Sequence, residues 1–112
     1  MQLDNMVRYL SIYRARASKY ALAVQRVMGM EAEKAGMKHA AILRLMEQTN
    51  PTSRDGKPHS ASSAEAVVEF DPTYRAWLGE YSNAVADKIK AEAAMESGRI
   101  MAEAAARTVQ AE

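Results

Sequence analysis

The chain has 112 residues, a formal net charge of +1, no cysteine, eight methionines, one tryptophan and one phenylalanine. That length fits one domain, 1–112, and the missing cysteines exclude disulfides and thiol chemistry, as suits a reducing cytoplasm. No stretch approaches the roughly 18 uncharged apolar residues of a membrane span, and MQLDNMVRYL lacks the basic and apolar regions of a secretory signal.

From Leu3 to about Gln48 there is no proline. Leu3, Met6, Leu10, Tyr13, Ala17, Tyr20, Val24 and Val27 step by three and four, the spacing of one helix face. Met28, Ala35, Ile42, Leu45 and Met46 are read as returning to that side. The pattern predicts a first helix over about 3–48. Gly29 and Gly36, each costing about 1 kcal/mol against alanine, mark a bend or a close helix contact. Thr49-Asn50-Pro51 stops the helix, because the residue before proline avoids the α region.

The segment 49–61, TNPTSRDGKPHSA, reads as a polar loop turning at Asp55-Gly56. Ser62-Ser63-Ala64-Glu65 matches a capping box and predicts a short helix over about 63–70. Asp71-Pro72, an N-cap acid followed by proline at the first helical position, starts a second long helix over about 72–110. Its seam runs through Tyr74, Trp77, Leu78, Tyr81, Val85 and Ile89 into an alanine-rich end. The expected fold is all-α: two long helices in an antiparallel hairpin, joined by a polar loop and a short helix. A 45-residue helix is about 65–70 Å long at 1.5 Å per residue. Two such rods cannot bury a wide apolar stripe between themselves alone, so assembly into an oligomeric bundle or ring is expected.

Charge is unevenly spread. Residues 1–46 hold eight Lys/Arg against three acids, a balance of +5, and the remainder hold seven against eleven, −4. At 100° per residue, Arg8, Arg16, Lys19, Arg26, Lys34 and Arg44 fall within an arc of roughly 80°, and Arg14 lies outside it. This basic line is expected opposite the apolar stripe. Solvated helix faces normally mix signs, yet no acid occurs between Arg8 and Arg26. Three readings stay open: a face for nucleic acid or another polyanion, pairing with the acidic second helix of another subunit, and an idle solvated surface. For nucleic acid, the line would follow phosphates without reading bases, with loop residues Arg54 and Lys57 adding contacts.

Catalytic and cofactor chemistry is not expected. GKPHS lacks the phosphate-cradling GxxxxGK[ST] pattern, His39 has no second histidine one turn away, and Glu92, Glu96 and Glu103 read as solvating charges. No metal and no cofactor is expected.

Trp77-Leu78-Gly79 matches the WxG of the small helical-hairpin proteins of type VII secretion. That motif lies between the helices in the family and inside the second helix here, so Trp77 reads as a seam residue. Lys19-Tyr20-Ala21, Glu31-Ala32-Glu33-Lys34-Ala35 and Ser97-Gly98-Arg99 resemble stretches of the small helical proteins of phage recombination modules, including mediators that load a recombinase on single-stranded DNA. The resemblance implies a ring-like oligomer in the host cytoplasm that binds single strands without sequence preference. Its partners would be further copies of the chain, single-stranded nucleic acid and a recombination or host protein. The alternative is a protein-interaction module, an assembly adaptor or an inhibitor of a host defence complex, with no nucleic-acid role.

Overall fold

The computed structural model describes residues 2–111. Its helices are α1 (Gln2–Met46), α2 (Ala61–Ala66) and α3 (Pro72–Ala111), with a 3₁₀ turn at Val68–Phe70. The described residues contain no strand, and α1 and α3 pack against each other. None of the helices is long and apolar enough to cross a membrane.

Each boundary has a local cause. α1 carries Asp4 in its first turn and Arg44 in its last, both favourable to the helix dipole. It ends at Met46, two residues earlier than expected. The amides of Glu47 and Gln48 donate to the carbonyls of Arg44 and Leu45 at 3.2 and 3.0 Å, tightening the final turn. The loop that follows is held by backbone bonds from Asn50 to Lys57 (2.8 Å) and from His59 to Gln48 (3.2 Å). Gly56 sits at φ 65° in the turn, a backbone conformation that glycine adopts without a Cβ clash.

α2 begins earlier than the capping box predicts. Ser60 is the N-cap and accepts the Ser63 amide at 3.2 Å, which places Ser62 inside the helix. α3 starts where Asp71-Pro72 requires. The Asp71 carboxylate accepts the Tyr74 amide at 2.9 Å, and its carbonyl accepts the Arg75 amide at 2.8 Å.

Two compact units are formed, one from residues 28–82 and the other from 1–27 with 83–112. In the 28–82 unit, Ala41, Leu45, Ala64, Val68, Tyr74 and Trp77 form one buried cluster, with Met30, Met37, Ile42 and Tyr81 packed around it. Trp77 stacks between Tyr74 and Tyr81, with ring centroids 6.0 and 5.5 Å away and interplanar angles of 8° and 5°. Burying an aromatic ring removes about 150–250 Å² from water, worth about 4–6 kcal/mol of transfer free energy before entropy is charged against it.

The same unit contains a clamp at the start of α3. Arg44 Nε and one terminal nitrogen donate to the two Asp71 oxygens at 3.2 and 2.7 Å. Asp71 is only 3% exposed. The Arg44 hydrogen bond, joined by the Tyr74 amide, holds the Asp71 carboxyl below the usual range against the opposing effect of burial.

The other unit has little bulk at its centre. Its buried residues are Val27, Ala84, Ala91, Gly98 and Ala102, with Tyr13, Tyr20 and Val24 half-buried beside them. A Cβ at Gly98 would stand 3.3 Å from the Tyr13 Cα and 3.3 Å from the Arg16 Cδ, so glycine there permits a close helix approach.

The seam departs from expectation at specific positions. Val27 and Trp77 are buried, and Leu10, Val85 and Tyr81 are half-buried. Ile89, expected in the helix–helix seam, is 61% exposed, and Met28 is 62% exposed. Stepping 81, 85, 89 advances 400° twice, a drift of about 80° off the face, whereas the contacting residues repeat near 3.5. The chain therefore buries Ala84, half-buries Lys88 and buries Ala91, leaving Ile89 outside. Gly29 and Gly36 lie in unbroken helix, and a Cβ on either meets nothing within 4 Å, so neither marks a close contact within the chain.

Candidate nucleic-acid interface

The basic line is not opposite the seam. It runs along the seam's edge, and four of its six members are engaged by their own chain. Arg16 is half-buried and donates from Nη1 to the Ala94 carbonyl at 3.0 Å. Arg26 lies 3.6 Å from an Asp87 oxygen. The Lys34 Nζ sits 5.8 Å from the centroid of the Tyr81 ring, within the range of a cation–π contact. Arg44 is committed to Asp71 in the clamp already described. The reason is angular: Arg16 and Lys34 lie only about 20–40° from Tyr20 and Val27 on the wheel, close enough to flank the contact. Arg8 and Lys19 are exposed on α1, and Arg54 and Lys57 are exposed in the loop.

Within the unit formed by 1–27 and 83–112, part of the line becomes one wall of an open groove of about 610 Å³. Arg16, Lys19 and Arg26 of α1 line it together with Lys90 of α3, and Asp87 is its one carboxylate. The floor is apolar, made by Leu22 and Ala23 on one side and Ala84, Ala91 and Ala94 on the other. Alanine at those three α3 positions sets the floor low, so the long cationic side chains stand above it. Gly98 contributes in a second way: with no side chain, it leaves room for the Arg16 guanidinium to reach the Ala94 carbonyl.

Four cations line the groove against one carboxylate, an excess of positive charge that attracts an anion. The Arg26–Asp87 pair does little to offset it. Both side chains are more than half exposed, at 52% and 61%, and pairs of that kind are worth little.

The structure thus brings together Arg16, Lys19 and Arg26 and leaves Lys34, Arg44, Arg54 and Lys57 to the 28–82 unit. Lys90, Asp87 and the alanine floor were missed in the sequence. Tallying charge by halves hid Lys90 inside an acidic segment. A usable signal existed in the turn: Tyr13 with Gly98, Arg16 with Ala94 and Arg26 with Asp87 are each nearly symmetric about Gly56. Folding the sequence at Asp55-Gly56 would have set Lys90 beside Leu22.

Among the described residues no three His, Asp or Glu side chains gather to hold a metal ion. Comparison with protein-family models, with curated proteins and with solved structures gave no match.

Proposed function

We propose that this protein is a non-enzymatic accessory factor that binds single-stranded nucleic acid without sequence preference, and that it acts as an oligomer. The observation that carries the reading is the convergence of Arg16, Lys19, Arg26 and Lys90, from two helices, on one groove with a single carboxylate. The cations meet phosphates. The apolar floor receives base or sugar faces, which a flexible single strand can present and a duplex keeps inside. Contacts from Arg and Lys to phosphates position a strand and carry no sequence information. An activity beside a recombinase is what the resemblance to phage recombination mediators implies.

Self-association is supported by apolar side chains that the chain leaves uncovered. Ile89 and Ile100 are 61% and 56% exposed on α3, and Leu3 and Val7 are 58% and 57% exposed on α1. On the wheel, Ile89 and Ile100 share a face with Ala86, Ala93 and Ala104, roughly opposite the seam.

The test is titration of a labelled single-stranded oligonucleotide at two salt concentrations. Four phosphate contacts on a single strand give a slope of log affinity against log salt near −3, at about −0.7 per contact. Binding by the wild type with that salt response, abolished in an Arg16/Lys19/Arg26→Glu triple variant of unchanged helicity, is the expected result. Absent or salt-insensitive binding removes the reading. The second reading, a protein-interaction module such as an assembly adaptor or an inhibitor of a host complex, is favoured by the way Asp71 and Asp87 engage arginines of α1. Under it the groove takes an acidic protein segment, and the triple variant loses that partner while oligonucleotide never binds.

A further inference from the structure

The groove carries its own anion. Asp87 is the one carboxylate lining it, and its Oδ2 lies 3.6 Å from Arg26 Nη1. Lys90 follows three residues later, a spacing that sets the two side chains on the same surface of α3. Asp87 therefore stands among the cations that would meet a phosphate.

The contrast with the other arginine–aspartate pair is chemical. Arg44 and Asp71 share two hydrogen bonds, at 2.7 and 3.2 Å, and Asp71 is 3% exposed. That pair is fixed structure. Arg26 and Asp87 share no hydrogen bond, approach near the limit of ion pairing and remain largely in water. A contact of that kind adds little to folding. It opens readily to solvent, and a stronger anion can replace it.

We propose that Asp87 is an internal competitor for the phosphate groups of the ligand, lowering the groove's affinity by occupying Arg26 until a phosphate displaces it. The inference rests on the nucleic-acid reading above. With Asp87 charged, the groove presents four cations and one anion; with Asp87 neutral, four cations alone. Binding then exchanges an internal anion for an external one, and affinity is held below what the cations alone would give.

The experiment compares wild type, Asp87→Asn, Asp87→Ala and Glu69→Gln for binding of the same labelled single-stranded oligonucleotide at low and at moderate salt. Glu69 is an exposed acid in the 3₁₀ turn of the 28–82 unit, so its replacement changes net charge by the same amount away from the groove. Both Asp87 variants are expected to bind about two- to fivefold more tightly at low salt, the range set by an exposed ion pair, with the gain shrinking as salt screens it. Glu69→Gln is expected to match the wild type in binding, and all four proteins are expected to keep the same helicity. Wild-type binding that Asp87→Asn and Asp87→Ala leave unchanged or weaken overturns the competitor role while the nucleic-acid reading stands. An equal gain in Glu69→Gln overturns it in favour of a net-charge effect. Absence of binding by all four proteins removes both inferences together.

Discussion

The two units draw on the same pair of helices and use them differently. In 28–82 the seam is stocked with Tyr74, Trp77, Leu45 and Val68, and a buried carboxylate is clamped by an arginine. In 1–27 with 83–112 the buried positions are mostly alanine and glycine, the cations stand over an open groove, and Leu22 is 66% exposed at its floor. Large side chains supply transfer free energy and fix a unique packing. Small ones bring backbones together with little burial and leave room above them. Stability is thus concentrated in one unit and the capacity to hold a ligand in the other.

The sharpest way to break this contrast is at the aromatic stack. Trp77→Ala is expected to cost about 3–5 kcal/mol, the range for removing a large buried aromatic, measured by chemical denaturation. Ala91→Gly, at the groove floor, is expected to cost about 1 kcal/mol, from helix propensity alone. Similar costs for the two would mean that the units contribute alike.

Asp71→Ala comes next. It removes the N-cap of α3 and leaves Arg44 unpaired, for an expected loss of about 1–3 kcal/mol. The pH dependence follows from the depressed carboxyl. A group whose folded value lies below its unfolded value stabilises fully above the unfolded value, near pH 4 for Asp, and loses that contribution as pH falls through the folded value. Wild-type stability is therefore expected to drop below about pH 4, and the Asp71→Ala variant to show a shallower drop.

The smallest expected effects come from glycines and sharpen the comparison by sign. Gly29→Ala and Gly36→Ala place a methyl in open space on a continuous helix and are expected to raise stability by about 0.5–1 kcal/mol each. Gly98→Ala meets the Tyr13 backbone and the Arg16 side chain at 3.3 Å. It is expected to lower stability by about 1 kcal/mol, because a packed interface yields only by shifting backbone. It should also weaken oligonucleotide binding by displacing Arg16. Thermal melts rank all three.

Much of this was legible in the residues. Proline and cap chemistry at Asp71-Pro72 marked the start of α3, and apolar spacing marked the seam of α1 from Met6 to Val27, with Leu3, 58% exposed, outside it. Beyond that point a wheel turning at 3.6 drifts from a contact repeating near 3.5. Averaging the α1 stripe over that drift admitted Met28 and put the basic line opposite it, and steps of four in α3 carried Ile89 about 80° off the face. The α2 cap was misplaced because three serines, Ser60, Ser62 and Ser63, compete for it, and only the path of the loop selects Ser60. The groove was half legible. Arg16, Lys19 and Arg26 announced themselves as an acid-free run, whereas Lys90 and Asp87 acquire meaning only from the antiparallel register.

Amide hydrogen exchange with and without single-stranded oligonucleotide probes the division of labour most directly. Without ligand, exchange should be slowest in 37–45 and 74–81 and faster in 13–27 and 84–102; with ligand, slowing should appear in 16–26 and 84–94 alone. Slowing centred on 28–82, or a free protein whose two units exchange equally slowly, would contradict it.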